Sequence, residues 1–341
     1  MKFLSRFWFY LTVIGLIVLV LGVRFGLPVY RQQLVIRAIE RLGGTIDVEP
    51  VGPPWLINLL GDRLPESCQR IVVINFFSEP VTDDDLCFLS EVSDVTRLIL
   101  CYTQAGDRTL ERIGRMAGLK ILELDDTQIT DTGLMHIQRL NELESLSLSS
   151  TTIGNPGLRA LRRLANLEEL YLNETPVTDS GLEHLRELNA LRELVLDDTA
   201  VTDAGLDCLG GLSNLKTLSL RNTGITSAGL RHLRGLTRLT GLDLDCTAVD
   251  DNELEQLVAL AELTWLDLTR TRTTDAGLVH LGELKSLNLL YLESTAITDA
   301  GLEHLGSLSK LDYLHLAGTA VTKAGCDRLK RKLPGLTIRG Q

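Results

Sequence analysis

"AITDAGLEHLGSL", residues 296–308, places an Asp, a Gly, a Glu and a His within one short stretch. Close variants recur upstream: "PVTDSGLEHLREL" at 176–188, "AVTDAGLDCLGGL" at 200–212 and "GITSAGLRHLRGL" at 224–236. Either the stretch is a repeated site, with Asp299 and His304 as ligands or catalysts, or it is a spacer holding other residues in place. The period decides. Thr103, Thr127, Thr151, Thr175, Thr199, Thr223, Thr247, Thr271, Thr295 and Thr319 stand 24 residues apart with no insertion. "IVVINFFSEPVTDDDLCFL" at 71–89 fits the same register with Glu79 in the Thr place, which makes eleven units. Repetition at such a period marks an array of stacked supersecondary units.

Each unit reads in two halves. Leu290 and Leu292 alternate ahead of Thr295, and a period of two means a short strand with one face buried. Leu302, Leu305 and Leu308 share one face of a helix. One strand–turn–helix unit cannot bury its Leu face alone. Stacking predicts an α/β solenoid, right-handed, with a parallel sheet on the concave side and helices on the convex side.

The "T-D-x-G-L-x-x-L" half resembles the leucine-rich repeat family, in its cysteine-containing subtype, known from the substrate-binding arms of F-box proteins. Thr stands here where that subtype often has Cys. The all-Thr, fixed-24 form, with an N-terminal apolar run and "RAIERLGG…PPWLINLLGD", is similar to bacterial membrane-anchored repeat proteins. The resemblance covers about residues 70 to 340 and implies a general binding scaffold, since this fold hosts many functions. No F-box is visible.

The 341 residues are 44% hydrophobic but only 5% aromatic, with net charge −11. Many small, similar packing layers follow from that Leu-rich composition. The negative balance argues against nucleic-acid binding, which needs a basic face. The six cysteines contain no C-x-x-C and match no zinc framework, so they read as free thiols. Phe7–Val23, "FWFYLTVIGLIVLVLGV", is uncharged between Arg6 and Arg24 and is at the short end of what spans a bilayer. "RFGLPVY" after it offers no small-x-small cleavage pattern, so an uncleaved transmembrane anchor is preferred over a signal peptide. Arginines flank the run on both sides and leave the side of the repeat domain open. The domain reading is then 1–28 for tail and anchor, 29–70 for an N-terminal cap, 71–325 for the array and 326–341 for a C-terminal cap.

Candidates for chemistry fall to the repeat itself. Thr before Asp in "TDAGL" has the place of an N-cap, and the Asp meets the positive end of the helix dipole. The Gly permits close approach between neighbouring turns. The ladder threonines are expected to satisfy backbone groups of an adjacent coil. His136, His184, His232, His280 and His304 share one position and are expected on the convex face. Only His280 and His304 occupy adjacent coils, and no Asp, Glu or Cys completes a ligand set. There is no P-loop, no G-x-S-x-G and no H-E-x-x-H. No cofactor, metal or catalytic residue is expected, and the chain is read as no enzyme.

Recognition is expected where the units differ, on strand residues pointing away from the Leu core. Two features stand out there. One is an acidic stripe of Glu123, Asp125, Glu169, Glu193, Asp197, Asp243, Asp245, Asp267 and Glu293, opposed in those columns only by Arg97 and Arg221. Tyr171 lies within it. The other is an apolar and aromatic patch, Trp265, Leu289 and Tyr313 on three consecutive units beside Tyr291 and His315. Rings bordered by polar residues are typical of binding hot spots. The expected partner is a protein or peptide with basic groups. The alternatives are a substrate-recognition adaptor, by analogy with F-box ligases, and a structural envelope protein.

Overall fold

A computed structural model describes residues 27–52, 54–60 and 69–340. The expected anchor at Phe7–Val23 lies outside the described residues. Among those described, no helix is long and apolar enough to cross a membrane.

Among the described residues, thirteen strands form one sheet in strict chain order. They are β1 (Thr45–Pro50), β2 (Gln69–Asn75), β3 (Arg97–Ile99), β4 (Ile121–Glu123), β5 (Ser145–Ser147), β6 (Glu169–Tyr171), β7 (Glu193–Val195), β8 (Thr217–Ser219), β9 (Gly241–Asp243), β10 (Trp265–Asp267), β11 (Leu289–Tyr291), β12 (Tyr313–His315) and β13 (Thr337–Arg339). From β2 onward every pairing is parallel and unslipped, so Trp265 faces Leu289 and Leu289 faces Tyr313. The constant repeat length enforces that register, because a one-residue slip would turn every Leu outward. β1 instead pairs antiparallel with β2. Helix α1 (Leu27–Arg41) precedes β1, and α2 (Pro54–Leu60) follows it. Gly43, at φ +85, ends α1 in the left-handed conformation that favours glycine there.

The Leu positions meet their expected fate. Leu290, Leu292, Leu305 and Leu308 are fully buried, as are their equivalents along the array. The convex halves are less uniformly α-helical than the pattern suggests. Asp203–Leu209, Asp275–Leu281 and Asp299–Leu305 are α-helices, but Ser227–Gly235 and Leu254–Ala259 are 3-10 helices. Leu residues repeating every three positions fit three residues per turn at least as well as 3.6, so the burial pattern tolerates both.

Two roles inferred from sequence change. Each ladder Thr donates its hydroxyl to the carbonyl three residues back in its own coil, as Thr199 does to Leu196 (2.6 Å) and Thr295 to Leu292 (2.6 Å). The adjacent coil is not the acceptor. The hydroxyl is needed locally because the preceding residue turns left-handed: Asp198 at φ 56, Ser294 at φ 55, and so on in every unit from Ser78 to Gly318. Thr199→Val keeps the shape and orphans that carbonyl. The expected cost is about 1 kcal/mol, read as a lower urea midpoint at unchanged slope.

The Asp does more than meet a dipole. Asp203 accepts the Thr226 backbone N–H (2.8 Å) and the Thr226 hydroxyl (2.5 Å) of the next coil. Asp179, Asp251, Asp275 and Asp299 do the same for Thr202, Thr274, Thr298 and Thr322. The Thr hydroxyl meanwhile accepts from its own helix, Thr226 from Ala228 N–H (3.2 Å). Cap and carboxylate therefore staple coil to coil.

Candidate protein-binding face

The alternating strand positions place the variable side chains in columns on the face opposite the Leu core. The in-register sheet brings Glu169 beside Glu193, Asp243 beside Asp267 and Tyr291 beside His315. Glu169, Tyr171, Glu193, Asp197, Asp243, Asp267, Glu293, Trp265, Leu289, Tyr291, Tyr313 and His315 are all half-buried, with none fully exposed.

The ring cluster is smaller than the sequence patch. Tyr291 and Tyr313 lie with centroids 5.6 Å apart, and His315 meets Tyr291 edge-on at 6.1 Å and Tyr313 at 6.4 Å. His315 Nδ1 is 3.3 Å from a Glu293 carboxylate oxygen. Trp265 turns the other way. A Cβ placed on Gly241 would be 2.9 Å from its ring, so the indole lies over a strand position with no side chain. It is half-buried there, not the open anchor its column suggests.

The acidic stripe is not one field of free charge. Asp245 is 6% exposed, and Arg270 grips it twice, at 3.0 and 2.6 Å, with Arg221 at 3.3 Å. Its carboxylate is therefore paired with two guanidinium groups, and it is withdrawn as an open acidic contact. Arg270 was missed because it lies outside the strand positions that point away from the Leu core. It sits just before a ladder Thr, and it is the only cation at that position of the repeat. Arg97 likewise holds Glu123 (2.7 Å).

Asp243 differs. Burial pushes its carboxyl up to about 6, the Asp245 N–H it accepts acts against that, and the charges of Asp267, Asp197 and Asp245 add to the rise. Burial also raises Asp267 and Asp197, against hydrogen bonds from Thr269 and from Ser219 and the Arg221 N–H respectively. Burial raises Tyr171, and the charges of Glu193 and Glu169 add to the rise. These groups crowd negative charge where it is poorly solvated, which a cation would relieve.

Two further features were not singled out in the sequence. Ser145, Ser147 and Ser149 leave all three concave positions of one unit small. A depression of about 500 Å³ results, walled by Arg97, Glu123 and Asp125 on one side and Glu169 and Tyr171 on the other. Phe77 and Tyr102 form an exposed edge-on pair, 5.3 Å apart, at the first units. Three small residues in one unit, and an aromatic at the left-handed position, were the available signals.

A family model described as leucine rich repeat matches residues 189–248, and a second of the same description matches 119–137 and 140–161. These matched segments, all within the array, are similar to leucine-rich repeats. Among solved structures, the repeat protein is similar to an internalin from Listeria monocytogenes, with 18% identity and a TM-score of 0.55, covering 83% of this chain and 92% of that one. A leucine-rich repeat protein of Leptospira interrogans matches at 19% identity and a TM-score of 0.54, over 74% of each chain. The repeat ectodomain of a plant membrane receptor kinase from Arabidopsis thaliana, in complex with Casparian strip integrity factor 2, matches at 18% and 0.50, over 79% of this chain and 35% of that one. At these identities the likeness concerns the fold. A search of curated proteins finds no match.

Proposed function

We propose that the repeat protein is a non-enzymatic scaffold, held to a membrane by Phe7–Val23, whose concave face binds a protein or peptide carrying basic groups. Residues 29–70 serve as the N-terminal cap, 71–325 as the array and 326–341 as the C-terminal cap. The observation that carries the reading is the crowding of half-buried carboxylates Asp197, Asp243 and Asp267 on the same face as the Tyr291–Tyr313–His315 cluster. A desolvated acidic patch costs the free protein stability and favours a cationic partner, while the rings supply an apolar contact. The receptor kinase ectodomain solved in complex with Casparian strip integrity factor 2 is a repeat fold that holds a bound partner, which supports a partner-binding role for this one. Val35 and Ile39 of α1 are buried with Ile74 and Phe76 in one core, which favours a cap over the recruiting module that an adaptor would need.

The test is capture from native membranes with the full chain, wild type against Tyr291→Ala/Tyr313→Ala. Loss of two central rings is expected to weaken binding roughly 30-fold or more, and capture should also fall with added salt. Unchanged recovery of every partner by the double variant would overturn this face as the site.

A further inference from the structure

We propose that the exposed apolar side chains of residues 30–52 and 54–59 form a foot that lies in the membrane–water interface and seats the array on the bilayer. The inference rests on the anchor reading. Tyr30, Leu34, Val48, Val51, Trp55 and Leu59 are exposed, Trp55 at 64% and Leu59 at 73%. The much longer remainder exposes only five large hydrophobic side chains among the described residues. Apolar exposure is therefore concentrated in the part of the chain that follows Phe7–Val23 in sequence.

The two faces of α1 are distinct. Val35 and Ile39 are buried in the core, at 6% and 0%. Tyr30, Leu34, Arg37 and Arg41 follow i, i+4, i+7 and i+11 spacing, so they share the opposite face. Arg37 and Arg41 are exposed with Tyr30 and Leu34. On α2, Trp55 and Leu59 are one turn apart and both exposed. A face of Tyr, Trp and Leu with arginines beside them has the chemistry of the headgroup region, where amphipathic rings and guanidinium groups collect.

Geometry says how the foot must lie. Only three residues separate Val23 from Leu27, so α1 begins at the edge of the hydrocarbon. Its 15 residues run about 22 Å at 1.5 Å each, whereas the headgroup layer is only about 5–7 Å deep. An upright α1 would lift Leu34 and Arg37 into water. Pro28 in its first turn is the residue type that starts a new helix, so α1 is free to lie along the surface. That orientation puts all four outer side chains in the interface and turns Val35 and Ile39 up into the core.

The experiment uses the full chain with Trp8→Phe and Trp265→Phe, leaving Trp55 as the one indole, in vesicles of phosphatidylcholine and phosphatidylglycerol. Retention through an alkaline carbonate wash reports the anchor separately. With the foot seated, Trp55 emission shifts to the blue, lipids brominated near the headgroup remove most of it, and iodide leaves it largely unchanged. Trp55 open to iodide in washed, retained protein overturns the foot while the anchor stands. Protection from iodide without quenching by brominated lipid means that a second copy or another segment covers the surface, which also overturns it. Failure to stay with the vesicles sinks the anchor and the foot together.

Discussion

Gly229→Ala is expected to lower stability by roughly 2 to 3 kcal/mol, although Ala is the better helix former. A Cβ at that position would stand 2.4 Å from Asp203 Oδ1 and 3.1 Å from Leu206 Cδ1. The carboxylate cannot retreat without giving up the Thr226 N–H and hydroxyl it holds. Because each coil contacts only its neighbours, a lost staple loosens one interface within a cooperative array. The check is a thermal melt, with a fall of several degrees expected. The chain contains a natural version of the compensating change. Where Ser227 replaces the Asp, the residue in the Gly column one coil on is Glu253, and it adopts φ 58 without a carboxylate behind it. Asp203→Ser should therefore cost less in the Gly229→Ala background than alone, and strictly additive losses would refute the steric account. Thr109 shows the other escape. It stands in the Gly column over Asp83, but the cap there is Gly106, so Asp83 has no cap hydroxyl to serve and takes the Thr109 hydroxyl instead (2.6 Å).

The same column shows why the array was legible before any coordinates and the contacts between coils were not. A period of 24 residues determines the strand positions, the buried Leu set and the parallel register, because stacking leaves the Leu faces no other way to be buried. It says nothing of where a short polar side chain points. Asp in the first turn serves the dipole of its own helix and the cap of the next coil equally well on paper. Only the close approach at Gly229, Gly277 and Gly301 shows that the second job sets the sequence. The columns were legible, since Trp265, Leu289 and Tyr313 do register side by side. Within the columns, side-chain direction was hidden. Arg270 reaches into the stripe from outside it, and Trp265 folds over Gly241, because long side chains settle across coils according to which neighbour is small.

Asp243→Asn is expected to stabilise the protein at pH 7 and to leave it unchanged near pH 4. The Asp243 carboxyl, 3.8 in an open chain, is pushed up to about 6 in the fold. A raised carboxyl keeps its proton in the native state after the unfolded chain has lost it. Stability therefore falls as pH rises between 3.8 and about 6, and levels off above that window. Two units are worth at most about 3 kcal/mol, and water at this partly open face trims the effect to the order of 2 kcal/mol. Asn has no charge to desolvate, and its carbonyl oxygen can still accept the Asp245 N–H that Asp243 holds at 2.8 Å. Denaturant midpoints measured across that window should show a shallower slope for the variant, with a residue left by Asp267 and Asp197, whose carboxyls burial also raises. An unaltered slope would mean that Asp243 is solvated after all. The same substitution should weaken capture of a basic partner, because the interaction that destabilises the free protein is the one a cation relieves. Gain of stability with loss of binding in one variant is the signature that separates a recognition surface from an acidic surface kept for solubility.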